Sequence, residues 1–238
     1  MGFIHRLPNQ DARHAVLLKL AALLNFLSGA IALCETGAVL PQGAVKRMAD
    51  EAAEDVLFLT TGLLSGMSDR HAEFLDYFWR EDVADFDDRL NSFQSRPQVK
   101  REKVIAAIHR ISDDPSTATQ VGTLLSKAYS GFVHAAAPHV MDIYDPERRK
   151  FEVLSASAQR RLEHEIDLWN QMYRGAGSLT LAAKVIGTDA DFNRMKAAIA
   201  AFEQRTNSYG QAPPCPRGRS RSKVGASNGP CKFRATQK

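Results

Sequence analysis

The sequence predicts an all-α protein: a bundle of six or seven helices over residues 1–209 and a disordered basic tail over residues 210–238. Three observations carry this reading. Ala, Leu, Glu, Arg and Lys dominate the first two hundred residues, and all are strong helix formers. Period-two alternation and β-branched runs are nearly absent, whereas apolar residues recur at spacings of three and four. From Asn207 the composition changes: Pro213-Pro214, Pro216 and the Arg-Ser alternation over 217–222 bury no apolar surface. With 238 residues, 44% hydrophobic and 24% charged, the chain has ordinary globular composition and can support a large core.

The elements follow in order. A first helix is expected over about residues 10–35, ending near Gly37. Its stretch Ala15–Cys34 has the length of a bilayer span. It contains Lys19, Asn25, Ser28 and Gly29, which are costly in lipid, so it reads as a buried central helix with no integral membrane contact; the basic residues before it leave a membrane or export segment as the alternative. Pro41 opens a second helix to about Leu64, as proline in a first turn does. Ser68 caps a third, with Leu75, Trp79, Val83, Phe86, Leu90 and Phe93 along one face until Arg96-Pro97.

A fourth helix covers about residues 98–111, with Val104, Ile108 and Ile111 inward. After the turn Asp113–Ser116, a long fifth helix spans about residues 117–144, with Val121, Leu125, Ala128, Phe132 and Ala136 as its core stripe. Asp145-Pro146 ends it, and Phe151, Val153 and Leu154 suit an extended piece. Ser155 and Ser157 precede a sixth helix to about residue 173, broken by Gly175 and Gly177. Residues 178–206 complete the bundle and split near Gly187.

Charge is segregated. Seven basic residues and no acid occupy 213–238, including Arg217, Arg219, Arg221 and Lys223, which makes these four the candidate nucleic-acid contacts. The rest of the chain is slightly acidic, although the whole carries +4. Three cysteines, Cys34, Cys215 and Cys231, form no disulfide framework, which points to a reducing cytoplasm.

The stretch Leu125–Asp142 holds the chemistry. Thr123, Lys127, Ser130 and His134 recur at i, i+4, i+7 and i+11, a polar stripe opposite Leu125. Pro138 removes the helical bond to the His134 carbonyl and bends the helix there, and Gly131 leaves room for another backbone or a ligand. A cation and a hydroxyl suit phosphate, and an imidazole can take or give a proton near neutrality. The same stripe also reads as a plain solvated face. On the third helix His71, Asp82 and Arg89 cluster at the edge of the apolar stripe, with Asp85 also four residues from Arg89. That cluster is either a salt-bridged core edge or a carboxylate that reaches His134 and sets its tautomer.

No metal site or cofactor is expected. Glu-x-x-His pairs, His-Glu-x-x-His, Walker loops and Gly-x-Gly-x-x-Gly are absent from the sequence. His139 with Asp142 and His164 with Asp167 share faces at i, i+3, but no glutamate joins them.

The segment Leu124–Ala136, LLSKAYSGFVHAA, resembles the signature helix of HEPN-type helical proteins. The resemblance implies a small, usually dimeric α-helical bundle and, in many members, an RNase of bacterial toxin–antitoxin, abortive-infection or CRISPR defence. The family's active motif is an arginine and a histidine with four to six residues between them. His134 matches the histidine; Lys127 stands at the arginine's place under the longest spacing, and Tyr129 under the shortest. No arginine precedes His134 at that distance, and lysine lacks the bidentate guanidinium fork. The candidate catalytic set is therefore His134, Lys127, Ser130 and Asp82, with RNA, a protein partner or a second copy of the chain as partners. The alternative reading is a catalytically inert helical scaffold, and a third is a small-ligand or metal bundle.

Overall fold

A computed structural model describes residues 7–208, apart from 82, 86, 89, 95–97 and 156; for 206–208 it describes the backbone only. It is all-α, as the sequence predicts. The helices are α1 (Ala12–Thr36), α2 (Val39–Ser65), α3 (Asp69–Trp79), α4 (Arg101–His109), α5 (Pro115–Val133), α6 (Ala137–Val140), α7 (Ala158–Ile186) and α8 (Asp189–Ser208). Between α6 and α7 lie a 3-10 turn, Met141–Ile143, and a small antiparallel hairpin of β1 (Tyr144–Asp145) and β2 (Lys150–Phe151), in register Tyr144 to Phe151. The chain divides into one unit over residues 1–200 and a second that begins at 201, within α8. The basic tail residues Arg217, Arg219, Arg221 and Lys223, and with them Cys215 and Cys231, lie outside the described residues.

α1 starts where Asp11 accepts from the His14 N–H at 2.9 Å. It ends at Gly37, whose φ of 77° lets the Gly37 and Ala38 N–H groups reach back to Cys34 and Leu33. α1 and α2 form an antiparallel pair, and α7 packs on both. Ala15, Val16, Leu20, Leu23, Ala49, Ala53, Val56, Phe58 and Leu59 form the core between them. Gly175 does not break α7; it lets α7 approach Leu23 and Leu27 of α1. α7 runs unbroken through Gly177 as well, and the split comes at Gly187, as expected.

α1 is less buried than its sequence suggests. It has the length and apolarity of a bilayer-spanning helix, with a mean hydropathy of 2.0, yet 22% of that window is buried. Leu17, Leu18 and Leu24 remain exposed.

α3 is shorter than predicted. The backbone turns extended at Arg80, and Leu90 and Phe93 are exposed, 96% and 71%. The stretch beyond is organised by short polar side chains: Asp85 accepts from the Asp87 N–H at 2.8 Å, and Ser92 Oγ donates to the Asp85 carbonyl at 2.7 Å. Such side chains outcompete the helical ladder. The helix that was to carry the wheel of His71, Asp82 and Arg89 ends at Trp79, and Asp82 and Arg89 themselves lie outside the described residues. His71 is structural. Its Nδ1 accepts from the Ser68 N–H at 3.0 Å, its Nε2 donates to the Phe58 carbonyl at 3.1 Å, and its ring stacks on Phe58. Burial holds its pKa below the usual histidine range.

α4 is also shorter at both ends, and Ile111 is exposed, not inward. α5 differs from expectation in two ways. It stops at Val133 instead of reaching residue 144. Its inward face is turned toward Gly122, Ser126 and Tyr129, which leaves Val121, Leu124 and Leu125 exposed. The reason is α2: Arg47 donates to the Ser126 carbonyl, and Phe132 lies flat on Gly43.

Candidate functional site

The predicted site falls at the elbow between α5 and α6. The last turn of α5 closes with a Schellman motif: Ala136 N–H donates to the Gly131 carbonyl at 2.8 Å and Ala135 N–H to the Phe132 carbonyl at 3.4 Å. Ala135 sits in the left-handed region, φ 50°, where glycine is usual. His134 is the C-cap, and its N–H donates to the Ser130 carbonyl at 3.1 Å. Pro138 follows in the first turn of α6, so the expected bend is a complete break.

Lys127 and Ser130 lie on successive turns of α5 leading to His134. Lys127 and His134 are exposed; Thr123 and Ser130 are half-buried. Among the described residues neither Lys127 nor His134 has an ion-pair partner. His139 folds back under the elbow. The His139 ring lies against Gly131, where any side chain would collide with it, and Nε2 donates to the Ala128 carbonyl at 2.9 Å. The space that Gly131 leaves is thus filled by the chain's own imidazole.

Beneath the elbow lies a polar layer that the sequence reading missed. Lys46 of α2 is wholly buried. Its Nζ lies 3.4 Å from Asp167 of α7 and 5.2 Å from the centre of the Tyr129 ring. Burial lowers the Lys46 pKa against the pull of Asp167, and burial with the Asp167 and Asp50 charges raises the Tyr129 phenol to about 12. Gln171 donates to the Lys46 carbonyl, Gln42 to the His164 carbonyl at 3.4 Å, and Arg174 grips both oxygens of Asp50 at 2.9 and 3.0 Å. These bonds clasp α2 to α7. With Lys46 closed to solvent, the layer serves the fold rather than a substrate.

The layer reaches the elbow through aromatic rings. Phe132 meets His139 edge-on at 4.4 Å and His164 at 5.6 Å. His164 Nε2 lies 3.5 Å from Asp142 of the 3-10 turn, and Arg160 Nη1 lies 3.5 Å from the other Asp142 oxygen. The two histidine–aspartate pairs of the sequence therefore meet, but among the described residues no group of three metal-ligating side chains forms. The signal that could have exposed the layer was positional: Gln42 and Lys46 fall on the alanine- and glycine-rich face of α2, with Gly43, Ala49 and Ala53.

A shallow depression of about 340 Å³, lined by Gln10, Leu75, Asp76, Trp79 and Arg80, belongs to α3 and not to the elbow. No family model, curated protein or solved structure matches the chain.

Proposed function

We propose that this chain is a HEPN-like helical protein that acts on RNA, with His134 as general acid and base, Lys127 and Ser130 as phosphate contacts, and the tail residues Arg217, Arg219, Arg221 and Lys223 adding electrostatic affinity. One observation carries the reading: His134 is an exposed imidazole held on a strained elbow, one helical turn past Ser130 and two past Lys127. An imidazole on an open surface suits a polymer that lies across it. In such a step the imidazole takes the 2′-OH proton as the 2′-oxygen attacks phosphorus. The 5′-oxygen leaves with a proton, giving a 2′,3′-cyclic phosphate and a 5′-OH. Lys127 offsets the charge gained at the phosphate, as a point charge without arginine's fork.

The test is incubation of the purified chain with mixed RNA and no added metal, beside His134→Ala and a chain ending at residue 209. His134→Ala should lose roughly a hundredfold or more in rate. The shortened chain should bind RNA more weakly and with a shallower salt dependence. Equal cleavage by wild type and His134→Ala would overturn the assignment. Absence of cleavage by folded wild type would favour the second reading, an inert scaffold that binds a protein or a second copy of itself. The exposed Val121, Leu124 and Val133 of α5 support that second reading.

A further inference from the structure

We propose that the segment from α6 through the hairpin, residues 137–152, is an acid-released latch over the α5 elbow, with His164 as its sensor. The inference stands whether or not the chain cleaves RNA.

The geometry comes first. His164 is buried at the junction of α2, α5, α7 and the 3-10 turn. Its Nε2–H points to Asp142, so Nδ1 is the bare nitrogen, and Nδ1 is buried without a hydrogen-bond partner. His139 repeats the arrangement: Nε2–H is committed to the Ala128 carbonyl, and Nδ1 is buried and unpartnered. Phe132 meets both rings edge-on. A proton added to the His164 Nδ1 would create a buried donor with nothing to receive it.

The charges around His164 decide the direction. Lys46 faces it from α2 and opposes a second positive charge. Asp142 faces it from the 3-10 turn, with Arg160 on that same carboxylate. Asp167 and Glu163 face it from its own helix. α5 contributes the Phe132 ring and α6 the His139 imidazole. Burial and Lys46 prevail over the carboxylates and hold the His164 pKa below 6.5. Once exposed, the ring regains its ordinary affinity, so protons bind the open form preferentially as pH falls through about 6.5.

What opens is set by the elements. α2 and α7 are long and clasped by Gln42, Gln171 and Arg174. α6, the 3-10 turn and the hairpin are short, and they hang from Ala135, whose left-handed backbone is relieved when the elbow unwinds. Opening of 137–152 uncovers His164 at the smallest cost in core contacts.

The test is amide hydrogen exchange of the intact chain at about pH 7.5 and about pH 5.5, corrected for intrinsic exchange, on wild type and His164→Gln. Opening of 137–152 should rise roughly fivefold to tenfold in wild type at the lower pH, while α2 stays protected. In His164→Gln the rise should vanish. Asp142→Asn is the second variant: it removes the attraction that partly offsets the penalty, so its rise should exceed that of wild type. No rise in wild type, or the same rise in His164→Gln, would overturn the proposal. Should His164→Gln not fold, a rise in Asp142→Asn no larger than in wild type would do the same.

Discussion

Ala135 occupies a backbone position that costs an L-residue energy, and nothing in its side chain compensates. With φ at 50° and the Schellman bonds to Gly131 and Phe132 in place, the residue is held by its neighbours. Ala135→Gly should stabilise the protein by about 1 kcal/mol and raise the thermal midpoint by roughly 2–4 °C, read by circular dichroism. An unchanged or lower midpoint would mean that the elbow carries no strain. The opposite logic applies at Gly131, which is glycine because the His139 ring occupies the place of a side chain. The residue type at Gly131 flagged a close approach, but not which group would make it.

At the scale of elements, α2 organises the molecule because α1, α3, α4, α5 and α7 all pack against it. Gly43 receives Phe132 of α5, and a Cβ there would enter that ring. Gly43→Ala should therefore destabilise the fold by about 2–3 kcal/mol in urea unfolding, through displacement of Phe132. The limits of α1 and α2 were legible because Gly37, Pro41 and the apolar repeat placed them to within a few residues. α3 was over-extended because Val83, Phe86, Leu90 and Phe93 keep helical spacing, although Asp85, Asp87, Asp88, Asn91 and Ser92 offer the backbone other partners. Spacing reports which residues could share a face, not whether a helix survives to present it. The inward side of α5 was illegible for a related reason. Tyr129 is buried against a lysine, and a pattern of apolar residues does not anticipate a cation as a packing partner. The candidate stripe of Lys127, Ser130 and His134 was legible from spacing; its break at His134 and the imidazole beneath it required the fold.

For the whole molecule, a half-buried carboxyl and a buried imidazole oppose each other in pH dependence. Glu54 lies 3.3 Å from Arg101, but Arg101 is nearer Asp55 at 2.7 Å, and Asp55 also holds Lys19 at 2.7 Å. Burial, reinforced by Asp50, Asp55 and Glu51 against Arg101, raises the Glu54 carboxyl from 4.5 to about 7. The folded state thus binds a proton that the unfolded state has lost. Its stabilisation is complete below about pH 4.5 and is lost as pH rises through 7. His164 acts in reverse, since its contribution is lost as pH falls below 6.5. Glu54→Gln should match wild type near pH 4.5 and exceed it by about 1–2 kcal/mol above pH 7, measured by urea unfolding across pH. A constant difference at every pH would show that Glu54 is ionised throughout.

The clasp between α2 and α7 also has a consequence in time. Lys46 and Gln171 lie 125 positions apart, and Gln42 and His164 122. Contacts so remote in sequence slow folding, because the chain must close a long loop before they form. During synthesis at about 5–20 residues per second, α1 and α2 emerge roughly 6–25 seconds before the partner that covers them. For that interval the nascent hairpin offers its alanine face, with a lysine that has no carboxylate, to whatever surrounds the ribosome. Its fate in the cell is decided before the elbow exists.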